Sequence, residues 1–373
     1  MSKDPSQIPV IDTDVHPSVP PREVYAQMPK RWREYFGSLS LRDFTRPRDR
    51  QPFPGRSGIR EDLIRPGEGP PGSDPVKSAV ELFDNFGTDA AVLISLQAAV
   101  VNAWSDPESA TVFTQAFNRF LLDRWVAVDS RYTLAATVSP LDPVKAAREI
   151  RGYADVPGVV CIYVPLLEQL LGHPHYRPIL KAAASAQIPI VLHATGGEGT
   201  RVGAPTLSGT PNHYPEWKTV LTQPGQSNLN SLIFEGVFER FPDLKVIFAE
   251  QGFTWVGSTI WRMETNWREF RYAVPWVKKA PGEYVREHVR FTTQPMDDVD
   301  NLQHFRASVE SMYGDETLVF SSDFPHYDND NPRVVLSRLP PASRERVAST
   351  NALEIFGARL TSRLRTDPLK KSA

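Results

Sequence analysis

The chain has 373 residues, with 42 basic and 44 acidic side chains and a net charge of -2 at pH 7. That balance argues against a polyanion-binding surface, so neither nucleic acid nor an acidic membrane is expected as a partner. A single cysteine, Cys161, lies in the apolar run 159–164, which excludes a disulfide framework and fits a reducing cytoplasm; no apolar leader opens the chain and no run approaches the length of a membrane span.

The first element is the short apolar strand Val10-Ile11-Asp12-Thr13-Asp14-Val15-His16. Residues two apart on a strand share a face, so Asp14 and His16 can converge on one ion while Val15 turns into packing. A helix is expected over 22–35. The stretch 42–75 that follows is rich in Arg, Pro and Gly and carries Arg42, Arg46, Arg48, Arg50, Arg56, Arg60 and Arg65. It reads either as a solvated loop or as a lid whose arginines clamp an anionic substrate.

Strands and helices then alternate. A helix over 78–86 leads to a strand over 88–95, a helix over 107–128 to a strand over 132–138, and a helix over 143–153 to a strand over 158–164. A helix over 176–186 leads to the strand 188–193, which ends in His193. An irregular stretch, 196–217, separates that strand from a helix over 228–241 and the strand 245–249, after which comes Glu250. The aromatic helix 253–272 (Trp255, Trp261, Trp267), a strand over 289–293, a helix over 298–313 and the strand 318–322, followed by Asp323, complete the alternation. A last helix is expected over 345–356, and the polar tail 364–373 is expected to be disordered.

Eight near-continuous apolar strands separated by helices argue for an α/β fold, a (β/α)8 TIM-like barrel with long loop insertions over its C-terminal mouth, forming a single domain over 1–373. A doubly wound open sheet is the competitor. It lacks a Gly-rich phosphate turn after the first strand, since the pair Gly196-Gly197 follows the fifth.

Singly, each strand-end residue has an ordinary reading: a lone histidine is more often a hydrogen-bonded structural group, and Asp323 could cap a helix. Jointly, Asp14, His16, His193, Glu250 and Asp323 lie at the same ends of four strands, where barrels build active sites. Charged groups are seldom buried there unless paired or coordinated, and an ion would satisfy them all.

With these residues in place the chain resembles the amidohydrolase superfamily, in the branch of amidohydrolase-related hydrolases and aminocarboxymuconate-semialdehyde-type decarboxylases. That branch carries His-x-His on strand one, a His on strands five and six, and an Asp on strand eight. His16, His193 and Ser322-Asp323-Phe324-Pro325-His326 match, whereas Asp14 and Glu250 stand where histidines would be, and no lysine ends the fourth strand to become a carbamylated bridge. The resemblance implies one or two divalent ions on Asp14, His16, His193, Glu250 and Asp323, with Asp323 as general base and Glu250 as ligand or proton acceptor. The implied reaction is hydrolysis by metal-activated water, or decarboxylation, of a bulky organic acid, ester or amide. Two histidines with three carboxylates are harder than His-rich zinc sites, so Mn and Fe join Zn as candidate ions. The alternative is a non-haem di-iron, O2-dependent monooxygenase acting on a large acyl or acyl-coenzyme A substrate, which the arginine loop and the aromatic helix would suit. His326 and Asp328 are candidates to orient a ligand, and His213 to face substrate; His173, His175, His288 and His304 receive no role. The expected partner is a small molecule, anionic or coenzyme A-linked; self-association into a homo-oligomer is compatible with the reading.

Overall fold

A computed structural model describes residues 8–38, 58–193, 211–297, 299–328 and 330–364. Eight strands, β1 (Ile11–Val15), β2 (Ala90–Leu93), β3 (Tyr132–Thr137), β4 (Val159–Tyr163), β5 (Ile190–His193), β6 (Val246–Ala249), β7 (Val289–Thr292) and β8 (Leu318–Val319), pair in parallel, each with the next. The chain just past β8 closes the ring onto β1. The Thr13 N–H donates to the Phe320 carbonyl at 3.0 Å, His16 N–H to Phe324 at 2.8 Å and Asp323 N–H to Asp14 at 3.1 Å. This is the expected (β/α)8 barrel.

Strand side chains divide into two apolar sets, which is why the strands read as continuous runs. Val92, Ala135, Val191 and Ile247 fill the barrel interior, whereas Leu93, Leu134, Leu192 and Phe248 pack outward under the helices. Cys161 belongs to the interior set and is buried there, as its neighbours imply. Ile355, Phe356 and Leu360 join the interior set from the last two helices and close the bottom of the barrel.

The outer helices carry a repeated start signal. α1 (Pro21–Ala26) and α2 (Lys30–Ser38) replace the single helix expected over 22–35; Pro29, without an N–H to donate, separates them. α3 (Pro75–Ala79) runs into a π turn over Val80–Asn85, and α4 (Pro107–Leu121) into another over Leu122–Val126, so the expected long helix 107–128 changes its winding near its end. α5 (Pro143–Tyr153) matches its expected span. Asp74, Asp106 and Asp142 each precede the proline that opens α3, α4 and α5, and each carboxylate accepts from the backbone N–H groups two and three residues on, at 2.9–3.2 Å. Proline suits the first helical position because the missing N–H would have no partner there.

α6 (Arg177–Ser185) precedes β5. After it comes α7 (Tyr214–Val220), which begins inside the stretch expected to be irregular over 196–217; residues 194–210 lie outside the described set. The helix expected over 228–241 is two, α8 (Thr222–Phe234) and α9 (Val237–Arg240), broken at Gly236. Gly236 has φ +65, and a Cβ there would come within 2.5 Å of Trp276 Cδ1, so the break needs glycine. α10 (Val256–Glu269), α11 (Pro281–His288), α12 (Leu302–Ser311), α13 (Gly314–Thr317), α14 (Pro332–Arg338), α15 (Asn351–Phe356) and α16 (Ala358–Leu364) complete the outer layer. Of the tail expected to be disordered, residue 364 ends α16 and 365–373 fall outside the described residues. No helix among the described residues is long and apolar enough to cross a membrane.

Candidate metal centre

The site begins with an irregularity in β1. Asp12 pairs with Ala91 but Val15 pairs with Leu93, so three steps along β1 match two along β2. Such a bulge inverts the side-chain phase. Ile11 accordingly packs inside the barrel and Val15 outside, and Asp14 and His16 turn into the mouth. Glu250 needs a different device. Ala249 packs inward, so simple alternation would send Glu250 outward, but its φ of +52 swings it to the mouth, with its N–H held by Thr292 Oγ1 at 3.1 Å. Asp323, at φ +62, is also left-handed. Non-glycine residues in that region cost on the order of 1 kcal/mol or more and collect at functional sites.

These devices bring all five strand-end residues together. His16 Nε2 lies 2.8 Å from Asp323 Oδ1 and 3.3 Å from Asp14 Oδ1; His193 Nε2 lies 3.2 Å from Asp14 Oδ2 and 3.4 Å from Glu250 Oε2. The two imidazoles meet edge to face with centroids 4.8 Å apart. All five residues are buried. Their donor atoms form two overlapping groups that share His16: Asp14 with His16 and His193, and His16 with Glu250, Asp323 and His326, each group fitting within 4.8 Å.

The donor set suits a divalent cation. Both Asp14 oxygens, His16 Nε2, His193 Nε2 and Asp323 Oδ2 are buried and make no hydrogen bond, an arrangement that is costly unless a cation draws them together. The tautomer of His16 is fixed for ligation: Nδ1 can only donate to the Ile94 carbonyl, 3.0 Å away, which leaves the Nε2 lone pair facing the carboxylates. Burial alone would lower the pKa of His16, but the charge of Asp14, with Asp323 and Glu250 behind it, outweighs burial and pushes the imidazole up to about 10. A field that favours a proton at Nε2 favours a divalent ion at the same place. Asp323 is held well below the usual carboxylate range: burial opposes ionisation, and the charge of His326, its hydrogen bond and the adjacent His16 imidazole overcome it.

Around this core stand residues that strand ends do not reveal. His326, a foreseen neighbour, places Nδ1 2.6 Å from Asp323 Oδ1 and tilts its ring over His16 at 4.7 Å. His213 is exposed at the start of α7 and joins neither donor group. Lys218, one turn further along α7, puts Nζ 2.7 Å from Glu250 Oε1 and 3.3 Å from Asp328 Oδ2. Burial would lower its pKa, but the charges of Glu250, Asp328 and Asp323 raise it instead, so it stays an ammonium. Asp12, two residues before Asp14, accepts from the N–H of Ser322 at 2.9 Å and of Asp14 at 3.3 Å, tying β1 to the chain after β8; burial pushes its pKa up to about 7.

The described part of the arginine segment lies beside the mouth. Arg60 N–H donates to the Pro325 carbonyl at 3.0 Å, Ile59 bridges to His326, and Gly72 packs against the His16 carbonyl. The Arg60 guanidinium is paired with Asp62. Arg42, Arg46, Arg48, Arg50 and Arg56 lie outside the described residues. The aromatic helix is turned to other work: Trp255 is buried and donates to the Gln251 carbonyl, Trp267 donates to Val277, and Trp261 is exposed.

The family sequence profile described as Amidohydrolase matches residues 11–358. The gamma-resorcylate decarboxylase of Polaromonas sp. (strain JS666) is 23% identical over 299 residues, covering 74% of this chain and 86% of that protein. Among solved structures, 5-carboxyvanillate decarboxylase from Sphingomonas paucimobilis superposes with a TM-score of 0.67 at 20% identity, over 94% of this chain and 99% of that one. The 5-carboxyvanillate decarboxylase of Novosphingobium aromaticivorans DSM 12444, complexed with manganese and 4-hydroxy-3-methoxy-5-nitrobenzoic acid, gives 0.65 at 18% identity, over 94% and 96%.

Proposed function

The chain belongs to the amidohydrolase family, and on that premise we propose that it is a metal-dependent decarboxylase of a hydroxylated aromatic acid. The observation that carries the metal part is the set of buried donor atoms without hydrogen bonds, on Asp14, His16, His193 and Asp323, converging from the ends of β1 and β5 and the chain just past β8. Those four residues would hold one divalent ion, with manganese the first choice because two of the four are carboxylates and a structure of the same fold is complexed with manganese. When bound, that ion supplies positive charge to neutralise and orient a substrate carboxylate. The aromatic acid is favoured over an ester or amide by the relatives, whose names are those of decarboxylases acting on such acids. The di-iron oxygenase and coenzyme A readings find no support among the relatives described.

The chain's own residues divide the work. With Asp323 held anionic, His326 donates its Nδ1–H in their 2.6 Å hydrogen bond, which leaves Nε2 as the atom that can take up a proton and deliver it. In an aromatic decarboxylation that proton adds to the ring carbon bearing the carboxylate; the carbon–carbon bond then breaks, its electron pair restores the ring, and CO2 leaves. Glu250, ion-paired with Lys218, serves as an anion and not as a proton donor. The segment 58–75 walls one side of the mouth.

The test is a substrate panel on manganese-loaded protein: benzoates with a hydroxyl ortho to the carboxylate, such as 2,6-dihydroxybenzoate, against their methyl esters and amides. CO2 release from the free acids alone is expected. Ester or amide hydrolysis without CO2 release would overturn the decarboxylase in favour of a hydrolase.

A further inference from the structure

We propose that Lys218 is a built-in cation of this centre, which takes Glu250 as its own partner and thereby confines the centre to one divalent ion. The proposal rests on the reading of Asp14, His16, His193 and Asp323 as that ion's ligands.

Lys218 reaches the mouth from α7, not from a strand, and its side chain is only 20% exposed. Its ammonium lies between two carboxylates from different parts of the rim, Glu250 after β6 at 2.7 Å and Asp328 beyond β8 at 3.3 Å. An ammonium has three donors and no acceptor, so it can satisfy carboxylates but cannot ligate an ion. A carboxylate that bridges two ions through both its oxygens gives one to each. Glu250 has given Oε1 to Lys218 and presents only Oε2 toward His193, at 3.4 Å from Nε2.

A second ion on Oε1 would sit about 2 Å from an oxygen that the ammonium also touches, and two like charges that close in a partly dry site repel strongly. β4 offers no replacement bridge, because its last residue is Tyr163. The positive charge that a histidine at the end of β6 could carry is thus supplied from a helix, and the glutamate found there is its anchor.

Metal stoichiometry tests this without knowledge of the substrate. Apo protein is titrated with Mn(II), with bound metal counted by elemental analysis after equilibrium dialysis and affinity read by calorimetry. Wild type should bind one ion per chain. Lys218→Ala, which frees Glu250 Oε1 and removes the repelling charge, should bind the first ion tenfold or more tightly and accept a second at millimolar Mn(II). Lys218→Arg, which keeps the charge, should stay at one. If the alanine variant does not fold, Lys218→Gln and the wild-type count carry the test. Two ions on wild type, or an uncharged variant that keeps one ion at wild-type affinity or loses it, would overturn the role of Lys218 alone. Wild type that binds no Mn(II) would instead sink the metal reading on which the proposal stands.

Discussion

Replacing Asp14 by Asn should uncouple folding from metal while leaving the barrel intact. Asp14 reaches both histidines, at 3.3 Å from His16 and 3.2 Å from His193, so it is the anion that joins the two imidazoles into one site. An ion that binds only the folded chain stabilises it by about 2.7 kcal/mol at a hundred times Kd. With an unfolding entropy of about 2.1 cal/mol/K per residue, a chain of 373 residues changes stability by about 0.8 kcal/mol per degree near Tm, so wild type should gain about 3–4 °C. Losing even an outer-shell partner of a metal site weakens binding about 10–100-fold, and the loss of a charged ligand should do at least the upper figure. At the same Mn(II) concentration the variant then sits near its own Kd, and the gain falls to about 0.4 kcal/mol, about 0.5 °C. Calorimetric scans of apo and Mn(II)-loaded protein, wild type and variant, measure this. A variant that gains as many degrees as wild type would refute the placement of Asp14 in the site.

Two further outcomes are expected away from the donors. Glu149 on α5 has both carboxylate oxygens buried, and burial pushes its pKa up from 4.5 to about 7, with Gln115 and Lys145 offsetting only part. Its folded pKa is raised, so the native chain binds the proton more tightly than the unfolded one: the stability linked to Glu149 is complete below pH 4.5 and is lost as pH rises through 7. Glu149→Gln should therefore raise stability by about 2–3 kcal/mol at pH 8 and change it little at pH 4.5, read by urea denaturation at the two pH values; an equal effect at both would be contrary to the pKa argument. Gly72 has φ +76, and a Cβ there would stand 3.0 Å from both the His16 carbonyl and Pro325 Cγ. Gly72→Ala should cost about 1–2 kcal/mol in the same assay and weaken Mn(II) binding by moving His16, whereas an unchanged midpoint and affinity would mean that segment 58–75 does not press on the mouth.

The sequence made the barrel legible because parallel strands buried on both faces leave long apolar runs. The strand-end residues were legible for the same reason, as polar groups where an apolar run stops. What alternation could not predict is which way they point. β1 turns Asp14 and His16 inward by a bulge, and Glu250 arrives through a left-handed residue, neither of which has a residue-type signature here. Lys218 was illegible for another reason: it lies on a helix, and only the folded chain brings α7 against the ends of β6 and β8. Asp12 stood inside the first motif, yet its link to Ser322 spans nearly the whole chain. The split of α8 from α9 depends on Trp276 packing over Gly236, a contact that local sequence does not contain.

On the proposed reading this centre removes CO2 from an aromatic acid with a divalent ion and without oxygen. Metal-stripped protein, reloaded separately with Mn(II), Zn(II) and Fe(II) and held under argon with 2,6-dihydroxybenzoate and 5-carboxyvanillate, tests it through the CO2 released. Release from at least one acid by the manganese form under argon, absent from the stripped protein and from Asp14→Asn, is the result predicted. Turnover that appears only in the iron form and only when oxygen is admitted, or that survives removal of the metal, would contradict the account.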